Sequence, residues 1–455
     1  MKQQAAMDLT RGPIAKNIVL FALPLMLSNL FQQLYNSVDM AVVGQFAGSV
    51  ALAAVGSTGA LINLLIGFFM GLATGAGVLY AMHFGAGDHE GLKKITDAAF
   101  LLSLGIAVFI TAVGIAFAPQ LLRLMDTPDD VMPDAVAYLR IFLSGTVFNM
   151  IYNVGAGMIR SGGDSARPLI YLFCSGLMNL LMDLLFVAGL GMGAAGAALA
   201  TVMAQAVSAV LVVWHMMRRL PESQRFRPRE MRADKVAIMD VVRISLPCGI
   251  QGSMFNISNF LVQMKINSFG SVAMAGTAAY SRVDGFIYMP TMALSMAVTT
   301  YVGQNIGAGR YERVKKGVRV CLALAVGVCL SMCTTVFLAF DSVIGIFATE
   351  VEVQAFARQN MLFMAPFTWI FVFADILGGA MRGAGAATPV TVITAVCICV
   401  VRIIWLLGVL PFYNDIRMVF FCYPLTWTIC TVTMVIYYFK YSAMKATIRA
   451  NEAKT

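Results

Sequence analysis

Residues 85–94 read Gly85-Ala86-Gly87-Asp88-His89-Glu90-Gly91-Leu92-Lys93-Lys94, and residues 307–316 read Gly307-Ala308-Gly309-Arg310-Tyr311-Glu312-Arg313-Val314-Lys315-Lys316. The two stretches lie 222 residues apart. At the same offset Gly48-Ser49-Val50-Ala51 answers Gly270-Ser271-Val272-Ala273, and Arg160 answers Arg382. Leu23-Pro24 answers Leu246-Pro247 with one residue added. Four matches in nearly one register mark an internal duplication rather than chance. The chain is two homologous halves, and the fold follows from what each half contains.

Each half is apolar. Of 455 residues, 59% are hydrophobic and 12% are charged, with mean hydropathy +0.80. Soluble domains carry about 25% charged residues. So few charges cannot clothe two or three water-soluble domains, and the same numbers exclude disorder and a small disulfide scaffold. Long apolar segments run at about 15–45, 50–83, 97–118, 133–158, 168–190, 193–217, 239–268, 274–305, 318–346, 354–380, 389–411 and 417–440. At roughly 20 residues per span, these are twelve transmembrane helices. The first is too long for a cleavable signal and lacks a small-residue cleavage site, so it is expected to stay as an anchor.

The expected fold is an all-α integral membrane protein of twelve transmembrane helices in two six-helix lobes. Six is even, so the repeat is parallel, with its axis along the membrane normal, an architecture found in transporters. The lobes are expected at 1–217 and 239–440, with a basic linker at 218–238 and a tail at 441–455. Basic residues set the orientation. Lys93 and Lys94 follow helix 2, and Arg160 and Arg167 follow helix 4. Arg218, Arg219, Arg225, Arg227, Arg229, Arg232 and Lys235 crowd the linker. Arg310, Arg313, Lys315, Lys316 and Arg319 follow helix 8, Arg382 follows helix 10, and Lys440, Lys445, Arg449 and Lys454 form the tail. The alternate loops hold mainly acids, Asp126, Asp129, Asp130, Glu350 and Glu352, with Arg123 and Arg417 as exceptions. Both termini are therefore expected in the cytoplasm. Topology and anionic lipid account for the net charge of +9 without nucleic acid.

Where the halves differ is more informative than where they agree. Asp39 on helix 1 and Asp183 on helix 5 have apolar counterparts near Val262 and Trp405. A charged Asp at the centre of a span costs about 2.5–3.5 kcal/mol on insertion scales, so each is a functional candidate. Both lie fifteen residues past a proline, Pro24 and Pro168, on helices of the same direction, and so at similar depth. Gln32, Tyr35 and Asp39 form one stripe on helix 1, and Asn179 and Asp183 share a face of helix 5. Thr201 reaches a comparable depth on the returning helix 6. Two carboxylates, an amide oxygen and a hydroxyl suit a small hard cation. Two such carboxyls also suit a shared proton. Sodium and proton coupling both stay open.

The remaining polar residues give weaker signals. Pro24 removes a helix hydrogen bond and permits a bend in helix 1. Asn153 aligns with Asp375 at the 222-residue offset, and either residue fits a cavity wall or helix packing. Lys265 and Arg402 are expected to snorkel. Gly67, Gly71 and Gly75 recur every four residues, as in ordinary small-residue packing. The nine cysteines fall in apolar runs and read as buried hydrophobes, and the three histidines receive no role. No G-x-x-x-x-G-K-[ST] occurs, and the repeated Gly-Ala-Gly lacks the Lys-Ser/Thr of a phosphate loop. ATP is therefore not expected to power the protein. An ion gradient is.

The chain also resembles a known family over essentially its full length. The matching elements are Leu9-Thr10-x-Gly12-Pro13-Ile14, Leu23-Pro24, Asp39, Val43-Gly44, Leu52-Ala53-Ala54 and Arg160-Ser161-Gly162-Gly163-Asp164. Gly196-Ala197-Ala198-x-Ala200-Thr201, Met289-Pro290, Gly303-Gln304-Asn305-x-Gly307-Ala308-Gly309-Arg310 and Met381-Arg382-Gly383 follow in order. This pattern resembles the multidrug and toxic compound extrusion (MATE) family, its DinF-like branch more than its NorM-like one. The resemblance implies a monomeric, two-lobed antiporter of the bacterial inner membrane. It would export amphipathic, often cationic compounds against inward sodium or proton flow, with no enzymatic activity and no cofactor beyond the coupling ion. It also implies that Asp39, Asn179, Asp183 and Thr201 hold the coupling cation and that Gln32 and Tyr35 lie beside a substrate cavity; the reading of the residues themselves adds Asn153 as a further cavity candidate. NorM-like relatives have a Glu and an Asp where this chain has Phe255 and Phe371, so no second acidic site is expected. A flippase for a lipid-linked saccharide is the competing expectation. It would call for a basic cavity, whereas the candidate cavity carries acids.

Overall fold

The structure is a computed structural model and describes residues 7–347, 350–413 and 415–452, with side chains as far as Tyr441. Twelve helical segments occupy the twelve apolar runs among the described residues. They are α1 (Ile14–Phe46), α2 (Gly48–Ala86), α3 (His89–Leu124), α4 (Met132–Ser144 and Thr146–Ser161), α5 (Ala166–Gly189) and α6 (Gly193–Arg218). The second half supplies α7 (Lys235–Asn267), α8 (Ser271–Gly307), α9 (Tyr311–Leu338), α10 (Val351–Met364 and Thr368–Gly383), α11 (Ala387–Tyr413) and α12 (Ile416–Glu452). Eight of these are long and apolar enough to cross a membrane, and the two bent pairs, α4 and α10, pass as broken spans. The other two, α7 and α8, are long enough but more polar. Ser245, Gln251, Ser253, Asn256, Ser258, Asn259 and Gln263 thin the apolar content of α7, and Arg282 and Asp284 that of α8.

Local chemistry explains the breaks. The 45° bend in α4 falls at Gly145, where an added Cβ would stand 2.5 Å from the Val202 side chain of α6. The 53° bend in α10 falls at Ala365-Pro366-Phe367, where Pro366 has no N–H to give and its ring opposes a continuous helix. Immediately after Asp183, α5 widens into a π-helical turn over Leu184–Gly189. A matching turn over Trp405–Val409 in α11 begins at the repeat position of Asp183, so the widening belongs to the duplicated scaffold. Helix α3 starts eight residues before its apolar run, capped by Asp88, whose carboxylate accepts the Gly91 N–H at 2.9 Å and meets His83 Nδ1 at 2.8 Å. The Gly91 N–H and then His83 hold that carboxyl below its usual range. Lys93 and Lys94 therefore ride on the first turns of α3. The tail continues α12 to Glu452, and residues 453–455 lie outside the described residues.

By compactness the chain forms two units, each with its own core. The first contains Met1–Arg11, Leu23–Ser253 and Gly303–Gly309, and the second Gly12–Ala22, Met254–Val302 and Arg310–Thr455. The division crosses α1 beside Pro24, α7 a few residues past Pro247 and α8 between Val302 and Gly303, and residues 218–238 fall within the first unit. In the first unit, Phe69, Tyr80, Phe100, Met150 and Met158 build one core, and Val43, Leu122, Leu139 and Phe142 another. In the second, Val262, Leu406, Val419 and Phe420 are buried together. Large apolar side chains such as Phe109 (67% exposed) on α3 and Leu407 (66%) on α11 remain outside, as a lipid-facing surface requires.

The glycine stripe of α2 packs as small residues do. An added Cβ at Gly71 would meet the Cys248 carbonyl oxygen at 2.1 Å, and one at Gly75 would meet Ser245 Cα at 2.3 Å. The linker is pinned to the first unit: Phe226 is buried and stacks on Phe100 at 4.5 Å, and Lys93 pairs with Glu230 at 3.2 Å. Eight cysteines are buried, and Cys174 is exposed.

The duplicated Gly-Ala-Gly segments meet each other inside the first unit. A Cβ at Gly85 would lie 1.9 Å from the Gln304 carbonyl oxygen, and one at Gly307 lies 1.9 Å from that of Met82. Since 304 and 82 also differ by 222, the two contacts are copies of one another. Around this seam Gln304, fully buried, accepts the Leu9 N–H at 3.2 Å and donates to the Ser161 carbonyl at 2.7 Å. Asn305 donates to the Leu9 carbonyl at 3.2 Å.

Candidate functional site

Asp39 and Asp183 converge in the first unit. Asp183 is fully buried and Asp39 nearly so, and their carboxyl groups are near neighbours. Asn179, one turn before Asp183 on α5, donates its Nδ2 to Asp183 Oδ2 at 2.8 Å. Its Oδ1 accepts the Thr201 backbone N–H at 3.3 Å, an amide orientation set by these two partners. The Tyr35 hydroxyl meets the Thr201 side chain. The four residues expected at one depth thus form one cluster, with Tyr35 at its edge.

The cluster is rich in acceptors. One oxygen on each carboxyl group, Asp39 Oδ1 and Asp183 Oδ1, is buried without a hydrogen-bond partner. Two carboxylates about 4 Å apart repel by about 4 kcal/mol even at an effective dielectric near 20. A proton or a cation between the oxygens would offset that repulsion. The oxygens left to a hard cation are those of the two carboxyl groups and the Thr201 hydroxyl, since Asn179 turns its Nδ2 toward Asp183 and its Oδ1 toward the Thr201 N–H.

Not every candidate joins the cluster. Gln32 lies one turn before Tyr35, half-buried, and Asn153 donates its Nδ2 to both the carbonyl and Oδ1 of Asn149 at 2.9 Å. Neither contacts the carboxylates among the described residues. Pro24 lies fifteen residues before Asp39, beside the Ala22–Leu23 boundary between the compact units. Sequence reasoning missed Tyr138 of α4, which is buried and near enough to both Asp39 and Asp183 to feel their charge. Its setting, Tyr138-Leu139 and Phe142-Leu143, reads as ordinary core.

Among the described residues, the corresponding region of the second unit has no such pair. Val262, the counterpart of Asp39, is fully buried in an apolar core. Phe255 and Phe371 do converge, at 6.3 Å between ring centroids, and Phe371 continues to Tyr288 (5.6 Å) and Trp427 (5.5 Å). Rings therefore stand together where the resemblance sets carboxylates. Asp375 is held by the Tyr288 hydroxyl at 3.3 Å and by Arg382 at 3.8 Å. Arg402 corrects an expectation: it does not snorkel but is 2% exposed, because Ser258 and Asn259 accept from it inside the unit.

The family model called MatE matches residues 24–185 and again residues 247–406. The chain belongs to the MatE family. The two matches begin at Pro24 and Pro247, the register of the duplication. This MatE chain is 28% identical over 399 residues to the probable multidrug resistance protein YpnP of Bacillus subtilis, covering 87% of this chain and 88% of that one. It is 24% identical over 395 residues to the probable multidrug resistance protein NorM of Thermotoga maritima, covering 86% and 84%. Among solved structures, that of MATE in the straight conformation shares the fold with a TM-score of 0.89 at 22% identity, covering 98% of this chain and 100% of that one. An outward-facing multidrug resistance MATE family transporter gives 0.86, also at 22% identity and with the same coverage. The MatE chain is a multi-pass membrane protein.

Proposed function

We propose that this MatE chain is a secondary antiporter that exports small amphipathic, often cationic compounds in exchange for sodium ions or protons. The observation that carries this reading is the buried Asp39–Asp183 pair, present in the first unit and absent from its repeat position in the second. A scaffold needs its symmetric residues. An unmatched acidic pair at membrane depth is retained for binding charge. The relatives' names, multidrug resistance and multidrug export, support the same class of cargo.

In this reading Asp39, Asp183, Asn179 and Thr201 take the coupling ion from the outer side. Occupancy draws α1 and α5 together, and Pro24, two residues past Ala22 where the chain passes from one compact unit to the other, lets α1 change shape. Substrate then leaves a cavity lined by Gln32, Tyr35 and Asn153. The chain works as a monomer in the bacterial inner membrane, with both termini in the cytoplasm, no ATP and no cofactor but the ion.

Purified protein in liposomes tests the proposal, with a fluorescent cationic dye and an imposed sodium or proton gradient. Gradient-driven dye movement is expected for the native chain and lost in an Asp39→Asn, Asp183→Asn double variant that still folds. Unchanged movement in that variant sinks the reading. No movement under either gradient favours a lipid carrier instead.

A further inference from the structure

Arg402 lies near the middle of α11 (Ala387–Tyr413), at membrane depth, and only 2% of it is exposed. A guanidinium keeps its charge inside a protein. Burying one without an acidic partner costs several kcal/mol. Arg402 takes part in none of the ion pairs among the described residues. Its neutral contacts are Nη1 to Ser258 Oγ at 3.0 Å, Nη1 to Asn259 Oδ1 at 3.0 Å, and the Tyr423 ring face, 4.5 Å from the guanidinium carbon. The Nε–H is buried and has no partner.

The setting has an approach. Asn259 and Gln263, four residues apart on α7, are both exposed. Exposed amides at membrane depth belong against water rather than lipid. The duplication adds meaning. Ser258 stands at the repeat position of Tyr35 at the 223-residue offset of the two prolines, and Tyr423 at that of Thr201 at the 222-residue offset. The contacts that edge an acidic site in the first unit thus surround a fixed positive charge in the second.

We propose that Arg402, with the Ser258 hydroxyl, forms an anion subsite in the second unit that takes a single carboxylate or a halide. The guanidinium supplies the charge and the free Nε–H. Ser258 accepts from Nη1 and keeps its own hydrogen to donate. Asn259 orients the guanidinium from the open side. The anion comes either from solution, as chloride, or from an acidic group on a transported compound. The proposal does not rest on antiport, since it concerns binding at residues outside the acidic site.

The test uses the full chain, purified in detergent in sulfate buffer at constant ionic strength. Chloride, acetate and a carboxylate-bearing amphiphile are titrated while thermal melting and tryptophan fluorescence are followed. At least one is expected to raise the melting temperature of the native chain with saturation. Arg402→Gln should abolish the effect, and Ser258→Ala should weaken the apparent affinity roughly tenfold. If Arg402→Gln does not fold, Ser258→Ala alone decides. Saturation by chloride and acetate identifies the free anion. A response confined to the amphiphile, and absent for its methyl ester, identifies the cargo. No response to any of the three in the native chain, or an equal response in the variants, overturns the proposal.

Discussion

Gly85→Ala should destabilise this protein, although Gly→Ala in a helix ordinarily stabilises by up to about 1 kcal/mol. The added Cβ would stand 1.9 Å from the Gln304 carbonyl oxygen, a backbone atom that cannot swing away. Ordinary contact begins at 3.4 Å, so the ends of α2 and α8 must part by about 1.5 Å in a close-packed interior. Overpacking of this kind costs about 1–3 kcal/mol. The same movement stretches the bonds from Gln304 to Leu9 and Ser161, and a buried group left unpaired costs about 1–3 kcal/mol more. A net loss of about 2–4 kcal/mol follows, seen in a chain of 455 residues as a melting temperature lower by roughly 2–4 °C. Gly307→Ala meets Met82 in the same way and should cost the same. The two changes demand one separation, so the double variant should fall short of the sum by about 1 kcal/mol or more. Gly59→Ala on the same helix is the control: an added Cβ there has nothing within 4 Å, and its melting temperature should hold or rise. Thermal melts of the four purified variants check this. A Gly85→Ala melt matching that of Gly59→Ala, or full additivity with Gly307→Ala, refutes the seam as described.

Gln304→Ala removes the acceptor of the Leu9 N–H bond and the donor to the Ser161 carbonyl, and a loss of about 1–3 kcal/mol in the same melts is expected. Phe226→Ala removes the ring stacked on Phe100 and should cost about 3–5 kcal/mol, with trypsin cleaving the linker after Arg225, Arg227 or Arg229 faster than in the native chain. Acid should loosen the same linker. The Lys93 ammonium, then Arg227, hold the Glu230 carboxyl below its usual range. Its contribution is present above the unfolded value and fades as pH falls through the lower folded one. Trypsin-sensitive linker bonds in protein pre-incubated at about pH 3 and assayed after rapid neutralisation should exceed those of a Glu230→Gln control measured against its own neutral sample.

The fold was legible because the membrane enforces it. Apolar runs of 20 or more residues have few alternatives to a spanning helix, and all twelve runs form helices. The ends were less legible. The first turns of α3 carry Asp88, Lys93 and Lys94, which read as loop because polar turns outside the hydrocarbon lower the apolar signal without lowering helix propensity. The bend at Pro366 has a sequence cause. The bend at Gly145 depends on how closely Val202 approaches, and a contact between distant residues leaves no local mark. The same distinction governs the site. Asp39 and Asp183 stood out because isolated charge is costly in an apolar run, and Asn179 and Thr201 followed from helical spacing. Tyr138 did not stand out, because a tyrosine among leucines and phenylalanines looks like core until its partners are known. Arg402 was visible as a charge but misassigned. Its long side chain permits snorkelling in principle, and only the positions of Ser258, Asn259 and Tyr423 fix it inward.

The seam between Gly85 and Gly307 is isologous: each copy of one segment presents the surface that the other copy recognises. A single six-helix half already owns both sides of that contact, as a subunit of a twofold dimer would. Joining two such halves in one chain keeps the interface but ends the obligation to change in pairs. A new carboxylate in a dimer of identical subunits appears twice and brings its desolvation cost twice. In the fused chain Asp39 and Asp183 occur once, with Val262 and Trp405 at their repeat positions, and the second half is free to hold charge of the other sign. Duplication thus supplied the frame, and fusion released it from symmetry.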